Sequence, residues 1–563
     1  MSLIVNLIFS ATSSKTLKRF RNKCCKPSEI QERLLNHIIE KNAGTAFGKK
    51  YLFGNIKSFG EYQKMVPISN YDELSPYINA ELNGKAAQLT LEKPVFFAMT
   101  SGTTGSSKYI PVTNESLTAK SKLVRIWLSA FYKEHPGIFS GRILTVVSPE
   151  VESLAPSGVP CGAESGHGYR NIPRTLKSLY SCPYEIYELK SYDAKYYCLL
   201  RIAASQRISL IFSCNPSTIL LLAKSLGQHT EDIIRDIHDG TVSDKFDIPN
   251  SLRSSIGVLL QANSNRATFL EEAATNGAGQ LLPKYVWPEM VGITCWKGGT
   301  VGMYLDKFDQ YFNKDLPIRE IGYLASEHRG SIPISDKGSA GVLAIPTNVY
   351  EFYPADENHQ PQGSELLTVD QLEEGKKYYI YVTTLAGLYR YDMNDIIEVL
   401  GFYENTPLIS FVQKGKGVVS FTGEKLYESQ VLSSVNQAFI SRQGKYEFIA
   451  AVGEMHDDKP RYVFLTEFDD TLPNSEAHEM LRDLEITLQR HNQEYASKRA
   501  SHRIETPILR IIRNGEFDLY RRRMVEKGRL DGQFKILRLT TDTSFAKEFE
   551  VERDVVLKTT SES

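Results

Sequence analysis

Short apolar segments alternate with amphipathic stretches from about residue 95 to about residue 324, and this alternation limits the folds open to the chain. Apolar runs this short, flanked by turn-forming residues, favour buried strands over helices. Strands are predicted at 95–99, 143–147, 208–212, 291–296 and 319–324. Helices are predicted between them, including one capped by Thr113 with its apolar side chains on one face. This order of elements predicts an α/β architecture with helix-covered sheets.

The C-terminal part of the chain has a different pattern. Strand-like segments dominate from about residue 340, and glycines at 415, 417 and 423 then interrupt the chain. A helix is predicted beyond them, from Ser475 to Ala496. Because 563 residues are too many for one ordinary core, we predict a large domain over 1–424 and a small α+β domain over 425–563.

Composition excludes several classes of protein. The net charge of −1 gives no bulk attraction to nucleic acid or to an anionic membrane, so we expect neither as a partner. The seven cysteines have no CxxC spacing, which argues against a zinc site or a disulfide framework. No segment is apolar enough to span a bilayer, and MSLIVNLIFSATSSK reads as a docking helix rather than a signal peptide. We therefore expect a cytoplasmic protein.

The segment TSGTTGSSK, which begins at Thr100, follows the first predicted strand. Glycines allow a backbone to approach a ligand closely, hydroxyl groups donate hydrogen bonds, and a lysine offers a charge suited to phosphate. The spacing differs from the Walker pattern. The alternative is an ordinary surface loop rich in turn formers. As a phosphate-binding loop, its ligands are Ser101, Gly102, Thr103, Thr104, Gly105 and Lys108.

A second candidate segment, GYLASE, begins at Gly322 at the end of a predicted strand. The ring of Tyr323 can stack on a base, and the carboxylate of Glu327 can hold Mg²⁺ beside phosphates. Taken alone, Tyr323 also reads as a core residue and Glu327 as a surface acid.

A third candidate is Asp395, which stands just before a strand predicted from Ile396. An aspartate at such a junction can accept both hydroxyl groups of a ribose. The alternatives are an ordinary turn aspartate at this position, or the same ribose role for the nearby Asp392.

The order of these features resembles the adenylate-forming superfamily of acyl and aryl ligases. Within it, the chain is similar to the auxin-responsive Gretchen-Hagen-type acyl-acid amido synthetases and their bacterial branch. The resemblance runs from about residue 25 to about residue 535. It is carried by TSGTTGSSKYIPVT, SGVPCGAESGHGYRNIP, IFSCNPST, GYLASE, YEFYP, TTLAGLYRYDMNDI and GEKLYE. One departure is Asn394, which stands where the family usually has a glycine before the aspartate.

The resemblance implies an adenylate-forming fold. It has a large N-terminal domain, built from two helix-covered β-sheets and a β-barrel, and a small mobile α+β C-terminal domain. It also implies that loop 101–108 binds ATP phosphates, Tyr323 lines the adenine pocket and Asp395 binds ribose. Ser326 and Glu327 contact nucleotide and Mg²⁺. Lys535, in GQFK, and Glu327 are the expected catalytic residues. Lys425 in the hinge is the other candidate lysine.

The expected activity is that of an ATP- and Mg²⁺-dependent ligase that adenylates a carboxylic acid and passes the acyl group to an amino acid. Transfer to a thiol of coenzyme A or a carrier protein is the alternative, and a nucleotide-binding regulator is the non-enzyme alternative. Tyr169 and Arg170 are candidates for the acyl pocket, although an ordinary ion pair explains Arg170 equally well. We expect a monomer or a weak dimer.

Overall fold

A computed structural model describes residues 2–100, 108–355, 365–415, 418–419, 426–440, 446–456, 459–500, 504–527, 538–540, 542 and 544–557. The chain divides into two compact units, Met1–Phe411 and Val412–Ser563. This division precedes the predicted boundary at 424, which stays a prediction. No helix among the described residues is long and apolar enough to cross a membrane.

The helices of the first unit are α1 Ser2–Cys24, α2 Pro27–Asn42, α3 Ala46–Lys50, α4 Phe59–Met65, α5 Tyr71–Leu82, α6 Asn114–Glu134, α7 Glu164–Arg170, α8 Arg174–Lys177, α9 Tyr192–Ala204, α10 Pro216–Gln228, α11 Thr230–Asp239, α12 Asn250–Gly257, α13 Ser264–Asn276, α14 Pro283–Val286 and α15 Phe308–Tyr311. Its strands are β1 Phe96–Thr100, β2 Lys108–Val112, β3 Arg142–Thr145, β4 Ser153–Leu154, β5 Pro160–Gly162, β6 Ile208–Phe212, β7 Gly292–Cys295, β8 Ile318–Glu320, β9 Ser331–Ile332, β10 Gly341–Leu343, β11 Asn348–Pro354, β12 Lys377–Thr384 and β13 Tyr391–Tyr403, with β14 Thr406–Lys414 running into the second unit.

Two four-stranded sheets confirm the α/β prediction. One is parallel, with the order β3-β6-β7-β8, and contains four of the five predicted strands. The other has the order β2-β1-β5-β4, and its β1 and β2 are antiparallel neighbours that pair Thr100 with Lys108. Strand β8 ends at Glu320, earlier than predicted, because Gly322 takes a φ of +94° and turns the chain.

The third sheet of this unit is antiparallel and has six strands in the order β11-β12-β13-β14-β10-β9. In the described part of the chain it does not close into the expected β-barrel. The edge strand β9 has only two residues, and at the opposite edge β11 is joined to Leu367 by an isolated bridge. A closed barrel requires continuous pairing around the whole ring, which these edges do not provide.

The helices of the first unit follow the local signals in the sequence. At the start of α6, Thr113 Oγ1 accepts a hydrogen bond from Ser116 N at 3.2 Å and Ser116 Oγ accepts one from Thr113 N at 3.0 Å, so the predicted cap is confirmed. The predicted docking helix is α1, whose Phe9 ring lies 5.7 Å from Tyr132 of α6 and 4.9 Å from Phe139.

The largest core joins parts of the chain that are far apart in sequence. Buried side chains of α2 to α5 and β1 pack in one cluster with those of β10 to β14. Gln31 links them, because its amide nitrogen donates to Ile345 O and Asn348 O, both at 2.8 Å, and its amide oxygen accepts from Tyr350 N at 2.8 Å. The six-stranded sheet and the N-terminal helices therefore form one structure.

The second unit has its own sheet and core. Its helices are α16 Glu428–Ala438, α17 Asn474–His491, α18 Gln493–Ala500 and α19 Glu516–Glu526. Its strands are β15 Val418–Val419, β16 Leu426–Tyr427, β17 Tyr446–His456, β18 Lys459–Phe468, β19 Ile508–Ile512, β20 Leu539–Thr540 and β21 Val551–Val556, and five of them form a mixed sheet ordered β20-β17-β18-β19-β21.

The prediction of a single helix from Ser475 to Ala496 is wrong in one respect, because the structure has two helices there, α17 and α18. Asn492 is extended, with φ −139° and ψ 102°, and ends α17. Its side-chain oxygen accepts a hydrogen bond from Tyr495 N at 2.8 Å and so caps α18. Asparagine favours this role because its side chain competes with the helical backbone for hydrogen bonds.

Candidate active site

The turn after β8 is fixed by a buried carboxylate. Glu320 Oε1 accepts a hydrogen bond from Gly322 N at 2.8 Å, and Oε2 accepts one from Lys297 N at 2.6 Å. Gly322 is packed so closely that a Cβ atom there would lie 2.5 Å from Ser331 O. Burial raises the pKa of Glu320. These contacts hold the backbone that presents Tyr323.

Tyr323 and Asp395 form a buried hydrogen-bonded pair. The tyrosine hydroxyl donates to Asp395 Oδ2 at 2.6 Å, and the ring stacks on Phe411 with centroids 5.9 Å apart and planes 12° apart. Burial, followed by the negative charge of Asp395, raises the pKa of Tyr323 well above its usual value. The tyrosine is therefore a neutral donor that orients the carboxylate. The prediction that both residues belong to one site is consistent with this geometry.

Asp395 owes its position to an irregularity in β13. Tyr381 of β12 pairs with Asp392, whereas Tyr379 pairs with Ile396, so β13 has extra residues between these pairs. The strand thus begins at Tyr391 and already contains Asp395, unlike the predicted start at Ile396. A bulge of this kind redirects the side chains within it.

Asn394 and Asp392 shape this bulge. Asn394 has a φ of +48°, in the left-handed region that glycine and, less readily, asparagine adopt. This conformation explains why asparagine can stand where the family usually has glycine. Asp392 Oδ1 accepts a hydrogen bond from Asn394 N at 2.7 Å. Asp392 is thereby engaged with the backbone of the bulge, as Asp395 is with Tyr323.

The segment before the bulge is anchored by Arg390, a residue that the sequence analysis did not single out. Its fully buried guanidinium contacts Glu351 at 2.8 and 2.9 Å and donates to Gln63 O and Val66 O, both at 2.7 Å. The sequence does not reveal this ion pair, because Glu351 lies on a different strand, β11. The pair ties β11, the segment after α4 and the start of β13 together.

Beside the Tyr323–Asp395 pair lies a set of half-buried polar groups. Lys120 of α6 contacts both carboxylate oxygens of Glu164 at 2.7 and 2.8 Å and lies 3.4 Å from Ser326 O. Ser326 and Glu327 follow Tyr323 and are both partly exposed. The negative charge of Glu327 adds to burial in raising the pKa of Tyr391.

A small pocket is lined by Lys120, Glu327, Asn348, Thr384 and Ala386, among others. It offers an ammonium group, a carboxylate and hydroxyl and amide groups within one concave surface, as a polar ligand requires. Lys120 is not recognisable in the sequence as a candidate site residue, because its partners Glu164 and Ser326 lie on distant segments. Its position on the inner face of α6 was the only available signal.

Several predicted residues lie outside the described part of the chain. They are Ser101, Gly102, Thr103, Thr104, Gly105, Lys425 and Lys535. Lys108 is described as the first residue of β2, and its ammonium lies 5.3 Å from the ring centroid of Tyr71. The pairing of β1 with β2 extends to Thr100 and Lys108, the described residues on either side of positions 101–107.

The two candidate acyl-pocket residues, Tyr169 and Arg170, are engaged with protein groups. Tyr169 is buried, donates its hydroxyl hydrogen bond to Cys182 O at 2.5 Å, and packs against Tyr180 and Tyr187. Arg170 contacts Glu150 Oε2 at 2.9 Å, the ordinary ion pair that was its alternative explanation. A role in acyl binding stays a prediction for both residues.

Comparison with known families shows matches along most of the chain. Residues 16–318 match the GH3 family N-terminal domain, 341–414 the GH3 family central domain and 429–544 the GH3 family C-terminal domain. The chain is 25% identical over 437 residues to indole-3-acetic acid-amido synthetase GH3.6 of Arabidopsis thaliana, covering 73% of this chain and 71% of that protein. It is 26% identical over 559 residues to indole-3-acetic acid-amido synthetase GH3.10 of the same plant, covering 92% and 93%.

Solved structures show the same fold. The GH3.15 acyl acid amido synthetase superposes with a TM-score of 0.85 at 22% identity, over 96% of this chain and 97% of that one. A 2-hydroxyisobutyryl-CoA ligase in the postadenylation state superposes with a TM-score of 0.53 at 10% identity, over 93% and 92%. The adenylate-forming fold expected from the sequence is therefore confirmed.

Proposed function

Since the chain belongs to the GH3 family, we propose that it is an ATP-dependent acyl-acid amido synthetase. Such a ligase joins a carboxylic acid to the amine of an amino acid and forms an amide bond. Its relatives named indole-3-acetic acid-amido synthetases have this type of activity in their names. The particular acid and amino acid used by this chain are for experiment to identify.

The observation that carries the proposal is the Tyr323–Asp395 pair beside the half-buried Ser326 and Glu327. The carboxylate of Asp395, oriented by the Tyr323 hydroxyl, can accept hydrogen bonds from the hydroxyl groups of a ribose. The strained bulge at Asn394 supports this assignment, because a left-handed residue other than glycine persists where the surrounding structure fixes it.

The reaction proceeds by two displacements. An oxygen of the substrate carboxylate attacks the α-phosphorus of ATP and pyrophosphate leaves, which gives an acyl-adenylate. The amine of the amino acid then attacks the acyl carbon, AMP leaves, and the amine loses a proton. The protein's part is to position the reactants and to offset charge, since transfers of this kind need no side-chain nucleophile.

The residues present suit a divalent cation bound with the nucleotide. Glu327 supplies a partly exposed carboxylate oxygen, the ligand type that Mg²⁺ prefers. When bound, the cation offsets the negative charge of the phosphates. Lys120 supplies a further positive charge next to Ser326, held in place by Glu164, and we assign it to orienting an anionic substrate group.

Other predicted roles remain part of the proposal. They are phosphate binding by Ser101, Gly102, Thr103, Thr104, Gly105 and Lys108, catalytic help from Lys535 or Lys425, and acyl contacts by Tyr169 and Arg170. We also propose the domain boundary at 424, a cytoplasmic location, and a monomer or weak dimer. The alternative acceptor is a thiol.

A screen of carboxylic acids for pyrophosphate release tests the proposal. Active acids are then incubated with mixtures of amino acids, coenzyme A or neither, and the products are identified by mass spectrometry. We expect an amide in the first mixture. Only thioester with coenzyme A would identify the thiol ligase, and no pyrophosphate release with any acid, although ATP binds, would favour a nucleotide-binding regulator.

A further inference from the structure

The outward face of α1 has an unusual composition. The inward face of this helix packs on the rest of the first unit through Val5 and Phe20, which are 3% and 2% exposed, and through Phe9. The opposite face has no partner element in the described part of the chain. The apolar N-terminal end of α1 lies before residue 16, where the match to the GH3 family N-terminal domain begins.

The first turns of this outward face are aliphatic. Ile4, Leu7 and Ile8 are 55%, 69% and 50% exposed, and their spacing places them side by side on the helix surface. Ala11, one turn further on, is also exposed. Single exposed aliphatic residues are ordinary, but adjacent ones on one face mark a surface that meets an apolar environment.

The same face becomes basic toward the end of the helix. Lys15 and Lys18 continue the line of Ile4, Ile8 and Ala11 at helical spacing, and Arg19 borders it; all three cations are exposed. The helix has no acidic residue. Its Arg21 is paired with Glu404 at 2.5 Å, whereas no ion pair found among the described residues involves Lys15, Lys18 or Arg19.

We propose that this face of α1 binds the surface of an anionic phospholipid membrane. The aliphatic side chains of Ile4, Leu7 and Ile8 insert between the lipid chains, and the cations of Lys15, Lys18 and Arg19 contact the phosphate groups above them. The helix lies on the membrane and does not cross it. The sequence-based expectation of no membrane partner rested on the net charge of the whole chain, which hides this local concentration.

Charge and area favour a lipid surface over two other partners. A stable dimer buries about 800 Å² on each partner, far more than three aliphatic side chains provide, and two copies of this face would bring their cations together. A nucleic acid would satisfy the cations but leave the aliphatic side chains in water. An anionic bilayer satisfies both ends of the face.

Vesicle co-sedimentation tests the proposal independently of the proposed ligase activity. The full chain is mixed with phosphatidylcholine vesicles, either pure or with about one third phosphatidylserine. One variant combines Ile4→Ser, Leu7→Ser and Ile8→Ser, and a second combines Lys15→Gln, Lys18→Gln and Arg19→Gln. The control combines Val258→Ser and Leu259→Ser, which are 76% and 39% exposed elsewhere on the first unit.

We expect partitioning onto anionic vesicles that falls at least ~10-fold on neutral vesicles, in high salt and in either α1 variant. The control should bind like the unmodified chain. Heat unfolding must be unchanged in all variants, as expected for exposed sites. Binding that neither α1 variant weakens, or no binding at all, overturns the proposal. So does a lipid-free dimer that only the aliphatic variant abolishes, since that result assigns the face to a second copy.

Discussion

Two closely packed regions of the first unit differ in their backbone conformation. In the region around 148–170, a Cβ on Gly162 would lie 2.0 Å from Glu150 O, and one on Gly166 would lie 2.2 Å from Ser148 O. Their role is to let backbones pack closely. In the region around 320–331 and 390–395 the backbones also pack closely, since a Cβ on Gly322 would lie 2.5 Å from Ser331 O, but here Gly322 and Asn394 have in addition φ values of +94° and +48°. Their role is to turn the chain into conformations that most residues avoid.

Their polar side chains differ in the same way. In the first region, Glu150 holds both His167 and Arg170, and the hydroxyl of Tyr169 binds a backbone oxygen. In the second, Glu320 and Asp392 hold the backbone so that Tyr323 and Asp395 sit next to half-buried groups. In the first region these side chains are thus engaged with one another and with the backbone, whereas in the second region we propose that the backbone positions Tyr323 and Asp395 for a ligand. Each prediction below sets one region against the other.

The largest effect is expected for Asp395→Ala. Loss of the carboxylate removes the proposed ribose acceptor, and pyrophosphate exchange should fall by roughly 10²- to 10³-fold. Asp392→Ala, the matched control three residues away, should cost less than about tenfold because it only loosens the bulge. Both variants must be shown to be folded. Equal losses, or a larger loss at Asp392, would remove Asp395 from the site.

Glu150→Gln is expected to act on stability instead. It weakens the contacts of Glu150 with His167 and with Arg170, whose side chain is 53% exposed, so the free energy of unfolding in urea should drop by about 1 to 2 kcal/mol. The rate of pyrophosphate exchange per folded molecule should stay within about twofold. A large loss of rate with unchanged stability would instead assign this region to the active site, and the proposed difference between the two regions would be wrong.

A pH-dependent effect on stability is expected at Glu81, which is linked through Leu89 to Tyr389, next to the second region. Its Oε1 accepts a hydrogen bond from Leu89 N at 3.1 Å, and Leu89 O accepts one from Tyr389 at 2.6 Å. Burial raises the pKa of Glu81 from 4.5 to about 7. The folded state therefore favours the neutral acid, whose stabilising contribution is complete below pH 4.5 and is lost as the pH rises through about 7.

Glu81→Gln should remove this dependence, because glutamine stays neutral. Relative to the unmodified chain, the variant should gain about 2 kcal/mol in unfolding free energy between pH 5 and pH 8. Urea unfolding at several pH values measures the difference. Glu40→Gln, at an exposed acid on α2, is the control variant. A constant difference across the range would show that Glu81 does not titrate there.

The smallest effect is expected for Asn394→Gly. Glycine adopts a φ of +48° without strain, so stability should change by no more than about 0.5 kcal/mol and activity should be retained. Asn394→Val is the sharper companion, because a β-branched residue resists this conformation and should cost at least about 1 kcal/mol. If valine is tolerated as well as glycine, backbone strain plays no part in placing Asp395.

Sequence patterns predicted what depends on neighbours along the chain. The strand at β6 and the Thr113 cap were confirmed because burial and capping leave periodic or local signals. The start of β13 was misplaced because its bulge depends on how β13 pairs with β12. The pattern of residues along β13 alone does not reveal that pairing. The break at Asn492 was missed because one asparagine within a helical pattern has several compatible readings.

The candidate site divides along the same line. Tyr323 and Asp395 were predicted as site residues from residue type and resemblance, and the structure adds the hydrogen bond that joins them. Lys120 and Arg390 were missed because their partners lie on distant segments, so that only the folded chain brings the opposite charges together. The barrel implied by the resemblance is not closed in the described part of the chain, where the edge strand β9 has only two residues.

The contacts of the Gln31 side chain have a consequence for how the chain folds during its synthesis. Its hydrogen-bonding partners are Ile345, Asn348 and Tyr350, and Tyr62 likewise bonds to Thr383 at 2.7 Å. During synthesis at ~5–20 residues per second, the N-terminal helices emerge many seconds before the strands that complete their core. Until then the nascent chain carries helices whose apolar faces lack the strands that bury them in the folded chain.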